Sequence, residues 1–284
     1  MAHRRPRLFG TIRRETPMPS LEVDGTTISY AEAGSGPPLL MIHGTLGDQR
    51  SFGPQMAPFA AKYHVMSLSM RHAWPGTWEE GGDFTIDRHV ADVAGFIRAL
   101  DRGPVHLLGH SRGGHIAFRV AERHPELVKA LVLAEPGGEL DESLGGAPPS
   151  GKQAAGFNAA ALKIAAGDVD GGLIMVAEQT GGPGAWERRP EEKKVIGRDN
   201  AGTLIGQMTE QRKPYSRAAA EAIRVPTLLL GGAESQPNFG KIIDALVRFM
   251  PDTQRVTVPK ATHGLNYDNP DFFNAAVLDF LAKH

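Results

Sequence analysis

The sequence contains no cysteine among its 284 residues, which excludes disulfide bonds, cysteine-bound zinc and a thiol nucleophile. The sequence also has no excess of one charge sign, because 31 basic and 32 acidic residues leave a net charge of −1. This balance gives no field that would draw the chain onto nucleic acid or an anionic membrane. No apolar run reaches the roughly 18 residues of a membrane span, and no apolar signal-peptide segment follows the arginine-rich start. We therefore expect a cytoplasmic protein without nucleic-acid or membrane partners.

The chain is long enough for one sizeable core with a small insert. Residues 1–20 are predicted to form a disordered basic tail. Strand and helix patterns alternate over 21–136 and again over 223–284, which predicts an α/β core. Between them, residues 137–222 lose the strand signal and are rich in Gly, Ala and Glu. This stretch is expected to form a helical cap over the carboxyl edge of the sheet, where open α/β sheets place their sites.

Strands and helices that alternate with short connections predict a parallel sheet covered on both faces. Short apolar or β-rich runs indicate strands at 38–42, 64–69, 105–108, 130–134, 227–230 and 255–258. Apolar residues at helical spacing, or a helical composition, indicate helices that include 90–100, 112–123, 238–249 and 272–282. Asp24-Gly25, between two β-rich segments, predicts a hairpin turn.

A Gly-x-Ser-x-Gly motif spans 109–113, between the run 105–108 and a helical segment. In this context Ser111 sits on a sharp strand-to-helix turn with its hydroxyl clear of the sheet. The following helix directs its first N–H groups at the site and favours developing negative charge. Ser111 is therefore predicted to be a nucleophile. His110 and His115 beside it are assigned to packing or hydrogen bonding, and no metal is expected, because no third ligand lies at a metal-site spacing.

The loop His43-Gly-Thr-Leu-Gly47 follows another buried strand. A serine nucleophile generates an alkoxide that needs two preorganised N–H donors. One donor is expected from the backbone of Arg112, the residue after the nucleophile, and the other from this loop. Thr45 is the preferred loop donor and Leu46 is the alternative.

Three features together resemble the α/β-hydrolase family over nearly all of 21–284. They are the His-Gly loop, the Gly-x-Ser-x-Gly turn at 109–113, called the elbow below, and a late histidine, His263. The resemblance implies an eight-stranded, mostly parallel sheet with helices on both faces and a helical cap. It also implies that the N–H groups of Thr45 and Arg112 form an oxyanion hole. By the family's chain order the general base is His263 rather than the terminal His284.

A carboxylate must orient the base, and two positions compete for this role. Most family members carry an Asp in a Gly-x-x-Asp loop after the seventh strand, but here that loop reads Gly232-Ala-Glu-Ser235, with Glu234 one residue early. Glu135 ends a strand 24 residues after Ser111. It resembles the acid of a branch that places this residue after the sixth strand, which includes some haloalkane dehalogenases and the zearalenone lactonases. Glu135 is preferred and Glu234 is the alternative.

Serine at the elbow implies an acyl-enzyme, because the dehalogenase and epoxide-hydrolase branches use Asp there. The sequence thus predicts a cofactor-free carboxylester hydrolase or lactonase (EC 3.1.1 type) that acts on a small molecule. A C–C bond hydrolase, a cofactor-free dioxygenase and a low-turnover ligand receptor of the same fold are the alternatives. Both a monomer and a homodimer remain open.

Four residues are candidates for substrate contact: Leu46, His110, Trp74 and Trp186. Trp186 ends a Gly-Pro-Gly-Ala-Trp segment that resembles a cap segment of the zearalenone lactonases. A place in the core of the cap is an equal alternative for Trp186. Packing is likewise the alternative for Trp74.

Overall fold

The computed structural model describes residues 18–147 and 152–284. Its strands are β1 (Ser20–Val23), β2 (Thr26–Ala33), β3 (Pro38–Ile42), β4 (His64–Leu68), β5 (Val105–His110), β6 (Val128–Ala134), β7 (Thr227–Gly232) and β8 (Thr253–Val258). They form one sheet in the order β1-β2-β4-β3-β5-β6-β7-β8. The predicted tail lies mostly outside the described residues. Its last residue, Ser20, already pairs within the sheet, so the core begins earlier than predicted.

The sheet is mostly parallel because only its first two pairings, β1 with β2 and β2 with β4, are antiparallel. The predicted hairpin turn joins β1 and β2. Asp24 and Gly25 have φ values of 45° and 74°, as a primed hairpin turn requires. All five residues of β3 are buried, because helices cover both faces of a parallel sheet. The eight-stranded α/β-hydrolase sheet expected from the sequence is confirmed.

The helices are α1 (Gly53–Ala60), α2 (Ile86–Leu100), α3 (Arg112–Arg123), α4 (Lys152–Ala165), α5 (Val169–Gly181), α6 (Glu191–Asp199), α7 (Thr203–Gln207), α8 (Arg217–Ala222), α9 (Pro237–Phe249), α10 (Leu265–Asp268) and α11 (Pro270–Leu281). One buried cluster joins the sheet to α2, α3, α8 and α9, and a second joins it to α1 and α11. The apolar spacing does not predict α1, because a glycine and two prolines interrupt it. α2 begins four residues before Val90, where Thr85 Oγ1 accepts a hydrogen bond from the N–H of Arg88.

Helices α4 to α7 form the insert, with a buried apolar cluster of their own. They cover the carboxyl ends of the strands. Asn200 donates a hydrogen bond to Asp48 at 2.7 Å, and Thr45 donates one to Gln207 at 3.1 Å. The predicted end of the insert at 222 is too late, because α8 packs into the main core through Ala219 and Ala220.

Candidate active site

Ser111 lies between β5 and α3 with φ 54° and ψ −118°, a backbone conformation that L residues avoid. The flanking glycines permit this turn. A Cβ atom at Gly109 would lie 2.3 Å from the carbonyl oxygen of Gly113, and one at Gly113 would lie 2.3 Å from that of Ile42. The close passage of three backbone segments therefore requires glycine at both positions. It presents the serine side chain at the carboxyl edge of the sheet.

His263, in the loop between β8 and α10, lies between a hydroxyl and a carboxylate. Its Nε2 is 2.9 Å from Ser111 Oγ, and its Nδ1 is 2.7 Å from Glu135 Oε2. The ring of Phe239 stacks on the imidazole with 4.1 Å between centroids. His110 holds the loop by donating from Nε2 to the carbonyl of His263 at 2.8 Å. The structure thus brings together three residues that lie far apart in the sequence.

Glu135 is fully buried where β6 ends. Its backbone adopts φ 44°, and its Oε1 accepts a hydrogen bond from the N–H of Gly232 at 2.7 Å. The carboxylate is therefore held on both oxygens, by the end of β7 and by His263. Glu234, the alternative acid, is exposed and lies at the pocket without this contact to the histidine.

The His43–Gly47 loop passes close to Ser111. A Cβ at Gly44 would lie 3.0 Å from Ser111 Cβ. His43 fixes the loop, because its Nε2 accepts from the N–H of Met70 at 3.1 Å and its Nδ1 donates to the carbonyl of Gly44 at 2.8 Å. Burial lowers the pKa of His43 to about 4, so the ring stays neutral, as this hydrogen-bond pattern requires. Thr45 and Leu46, the two candidate donors, both line the pocket that contains Ser111.

Arg112 anchors the elbow to the segment that follows the insert helices. Its guanidinium pairs with Glu210, which also pairs with Arg212, and lies 4.5 Å from the ring centroid of Phe84. Both Arg112 and Glu210 are almost completely buried. Burial alone would raise the pKa of Glu210, but the two guanidinium groups hold it below its usual range. The side chain of Arg112 is thus committed to structure, which leaves its backbone N–H as the group relevant to the site.

A pocket of about 500 Å³ opens at Ser111 and His263, between the sheet edge and the insert. Leu46 and His110, two of the four residues proposed for substrate contact, line it. Trp74 and Trp186 do not, which corrects their assignment to substrate contact and favours the packing alternative for both. Trp186 is buried in the core of the insert. The guanidinium of Arg50 lies 4.0 Å from the ring centroid of Trp74, and the backbone N–H of Trp74 donates a hydrogen bond to Asn200 Oδ1.

The cationic residues of the pocket were not identified from the sequence. Four cationic residues line it, Arg188, Arg189, Lys193 and Lys260, together with the acidic Glu234 and Asp268. Three of the cations fall within 188–193, a stretch of mixed charge that a sequence pattern cannot distinguish from an ordinary solvated surface. Their presence in the same pocket as Ser111 depends on how the insert packs against the sheet edge.

Over residues 18–147 and 152–284, no cluster of three or more His, Asp or Glu side chains has the arrangement of a metal site. In the same ranges no helix is long and apolar enough to cross a membrane.

Comparison with known proteins identifies related chains. A family model described as "alpha/beta hydrolase fold" matches residues 37–270. The 2-(acetamidomethylene)succinate hydrolase of Mesorhizobium japonicum is 24% identical over 270 residues, covering 92% of this chain and 94% of that protein.

Solved structures show the same fold. The enol-lactonase of Burkholderia xenovorans LB400 superposes with a TM-score of 0.76 at 20% identity, over 93% of this chain and 100% of that one. A thermophilic esterase from Thermogutta terrifontis, in a malate-bound structure, gives 0.76 at 21% identity over 94% and 99%. Since the family model covers most of the sequence, this chain belongs to the α/β-hydrolase fold family.

Proposed function

We propose that this protein is a serine hydrolase that cleaves a carboxylic ester or lactone through an acyl-enzyme, with Ser111, His263 and Glu135 as its catalytic triad. The observation that carries the proposal is the continuous hydrogen-bonded chain from Ser111 Oγ through His263 to Glu135, with distances of 2.9 and 2.7 Å. A nucleophile, a base within reach of it and a buried group that orients the base are the elements of nucleophilic catalysis.

In the first half-reaction, His263 Nε2 takes the proton of Ser111 as Oγ attacks the substrate carbonyl carbon. The carbonyl oxygen becomes an alkoxide that the N–H groups of Arg112 and Thr45 or Leu46 would stabilise. The C–O bond then breaks, and the leaving oxygen takes the proton from His263. In the second half-reaction, His263 removes a proton from water, which attacks the acyl carbon. The carboxylic acid product leaves, and Ser111 regains its proton.

Glu135 is proposed as the acid of the triad because it alone of the two candidates contacts His263 Nδ1. Its second oxygen is held by the N–H of Gly232, so the carboxylate is fixed and can stabilise the imidazolium that forms during attack. This arrangement keeps Nδ1 protonated, which leaves Nε2 free to accept the serine proton.

The ester or lactone assignment draws on the names of similar proteins, which include an enol-lactonase and an esterase. The relative from Mesorhizobium japonicum is named as the hydrolase of a succinate derivative. Hydrolysis is favoured over a cofactor-free oxygenase reaction because His263 is engaged with Ser111, whereas an oxygenase would use this base on the substrate itself.

The test combines active-site labelling with turnover. A fluorophosphonate probe is expected to modify wild type at Ser111 with one label per chain, as located by peptide mass spectrometry. Hydrolysis of p-nitrophenyl esters and of small lactones should fall by about 10⁴- to 10⁶-fold in Ser111→Ala and His263→Ala. Turnover that survives in Ser111→Ala would overturn the proposal. Binding of these compounds without turnover by wild type would instead support the receptor alternative.

A further inference from the structure

None of the four pocket cations has an ion-pair partner within the part of the chain that the structure describes, but two of them are exposed to solvent, whereas Arg189 and Lys193 are partly buried. Among the residues the structure describes, neither makes a salt bridge or a side-chain hydrogen bond. Their neighbours in the sequence are satisfied: Lys194 pairs with Glu191 at 3.7 Å, and Arg198 pairs with Glu191 at 2.9 Å. Unpaired cations are thus confined to the side of this segment that faces the pocket.

The surroundings of these cations make a missing counter-ion costly. Burial, together with the charge of Arg189, lowers the pKa of Lys193 to about 7. The ammonium lies 3.9 Å from the ring centroid of Tyr267, which offers a weak attraction but no full charge. Asp268 is the acidic residue of the pocket whose charge stabilises both cations and raises the pKa of each. Its Oδ2, however, accepts hydrogen bonds from the N–H and the hydroxyl of Thr262.

A partly desolvated cation is stabilised when an anion enters beside it. The same pocket contains Ser111 and His263, so an anion bound there would belong to the molecule that reaches the nucleophile. The fork of a guanidinium matches a carboxylate in two parallel hydrogen bonds. The four cations of the pocket outnumber its two acidic residues, so a negatively charged substrate is favoured overall.

We propose that the substrate carries a free carboxylate in addition to the bond that is cleaved, and that Arg189 and Lys193 bind this carboxylate. The inference rests on the proposed function for the reaction, but the anion site itself can be measured without turnover. The substrate class is therefore a monoester of a small dicarboxylic acid or a lactone of a small hydroxydicarboxylic acid, and hydrolysis of the monoester gives a dicarboxylate.

Binding is measured first, on Ser111→Ala, by titration calorimetry with succinate, glutarate and adipate. We expect at least one of them to bind, and its affinity to fall by about tenfold or more in Arg189→Met and in Lys193→Met, since each substitution removes a charge-assisted hydrogen bond to the carboxylate. Lys194→Met is the matched control, because Lys194 is adjacent in the sequence but does not line the pocket. The affinity of the Lys194→Met variant for the dicarboxylate should equal that of the Ser111→Ala parent. Absence of binding, equal binding in all variants, or tighter binding of inorganic phosphate would overturn the proposal.

Turnover is measured second, with p-nitrophenyl monoesters of the same acids against their methyl-capped diesters, and with the Ser111→Ala rate subtracted as background. Wild type should favour the charged esters in kcat/KM by about tenfold or more, and Arg189→Met and Lys193→Met should lose this preference. Serine-dependent hydrolysis without a charge preference would overturn the carboxylate site and leave the proposed function intact. Dicarboxylate binding that depends on both cations, with no serine-dependent turnover, would overturn the proposed function and leave the anion site intact.

Discussion

The carboxylate of Glu135, at the end of β6, accepts a hydrogen bond from the backbone N–H of Gly232, at the end of β7, at 2.7 Å. The two strands are neighbours in the sheet, with Ala134 opposite Leu230. A carboxylate from either strand end can therefore approach the same imidazole. This adjacency explains in physical terms how the proposed acid can come from β6, while the loop after β7 carries Ser235 at the usual acid position.

Replacing Glu135 by Gln is expected to lower kcat by about 10³- to 10⁴-fold, because an amide would no longer stabilise the imidazolium or fix the tautomer of His263. Ester hydrolysis at saturating substrate measures this change. Glu234→Gln removes a carboxylate that is exposed and does not contact the histidine, and it should retain kcat within about threefold. If Glu234→Gln were the inactive variant and Glu135→Gln the active one, the acid would have to be assigned to the loop after β7.

Glu210→Gln is expected to destabilise the protein by about 3–5 kcal/mol, because it leaves the buried guanidinium of Arg112 without its counter-charge. Equilibrium unfolding in urea measures the loss. The matched control is Glu221→Gln, which breaks the exposed pair of Glu221 with Arg217 and should change stability by less than about 1 kcal/mol. Equal effects of the two substitutions would show that the Arg112 pair does not stabilise the elbow.

Gly113→Ala is expected to destabilise by about 3 kcal/mol or more, since the added Cβ would lie 2.3 Å from the carbonyl oxygen of Ile42 and 2.4 Å from that of His43. Gly240→Ala is the matched control in another helix, where an added Cβ meets nothing within 4 Å. It should stabilise by about 0.5–1 kcal/mol through helix propensity. The melting temperature should fall for Gly113→Ala and rise for Gly240→Ala. A Gly113→Ala protein as stable as wild type would contradict the tight packing of the elbow.

The KM for a carboxylate-bearing ester is expected to rise several-fold between about pH 6 and pH 8. Burial and the charge of Arg189 lower the pKa of Lys193 to about 7, against the opposing influence of Asp268 and Glu192. Tyr267, whose pKa burial raises to about 12, stays neutral in this range. Lys193 is therefore charged below pH 7 and loses its proton above it, so attraction for the carboxylate declines as pH rises.

Initial rates with the p-nitrophenyl monoester across this range measure the effect, and the methyl-capped diester serves as the uncharged control. The rise in KM with pH should be absent for the diester with wild type, and absent for the monoester with the Lys193→Met variant. A rise of the same size in that variant would assign the pH dependence to another group.

The sequence predicted the residues whose positions follow from strand ends. Ser111 and Glu135 each end a buried strand, and His263 follows the last one, so a parallel sheet brings all three to one edge. The sequence left Glu135 and Glu234 open, because backbone adjacency of β6 and β7 does not say which side chain turns inward. The tryptophans were misplaced because their contacts depend on the packing of the insert. Apolar periodicity in the insert indicates helices but not the face that each presents to the sheet.

The amino-acid sequence by itself determined the sheet, the sharp turn at Ser111 and the proposal of this serine as nucleophile, because apolar runs, glycine spacing and chain order are local properties. Only the tertiary structure decided the surroundings of Ser111. It buried Glu135 against Gly232, placed Trp186 in the core of the insert, and placed Arg189 and Lys193 in the pocket wall without an ion-pair partner among the described residues. The physical reason is that desolvation and charge pairing depend on distances between segments far apart in the chain, which no local pattern encodes.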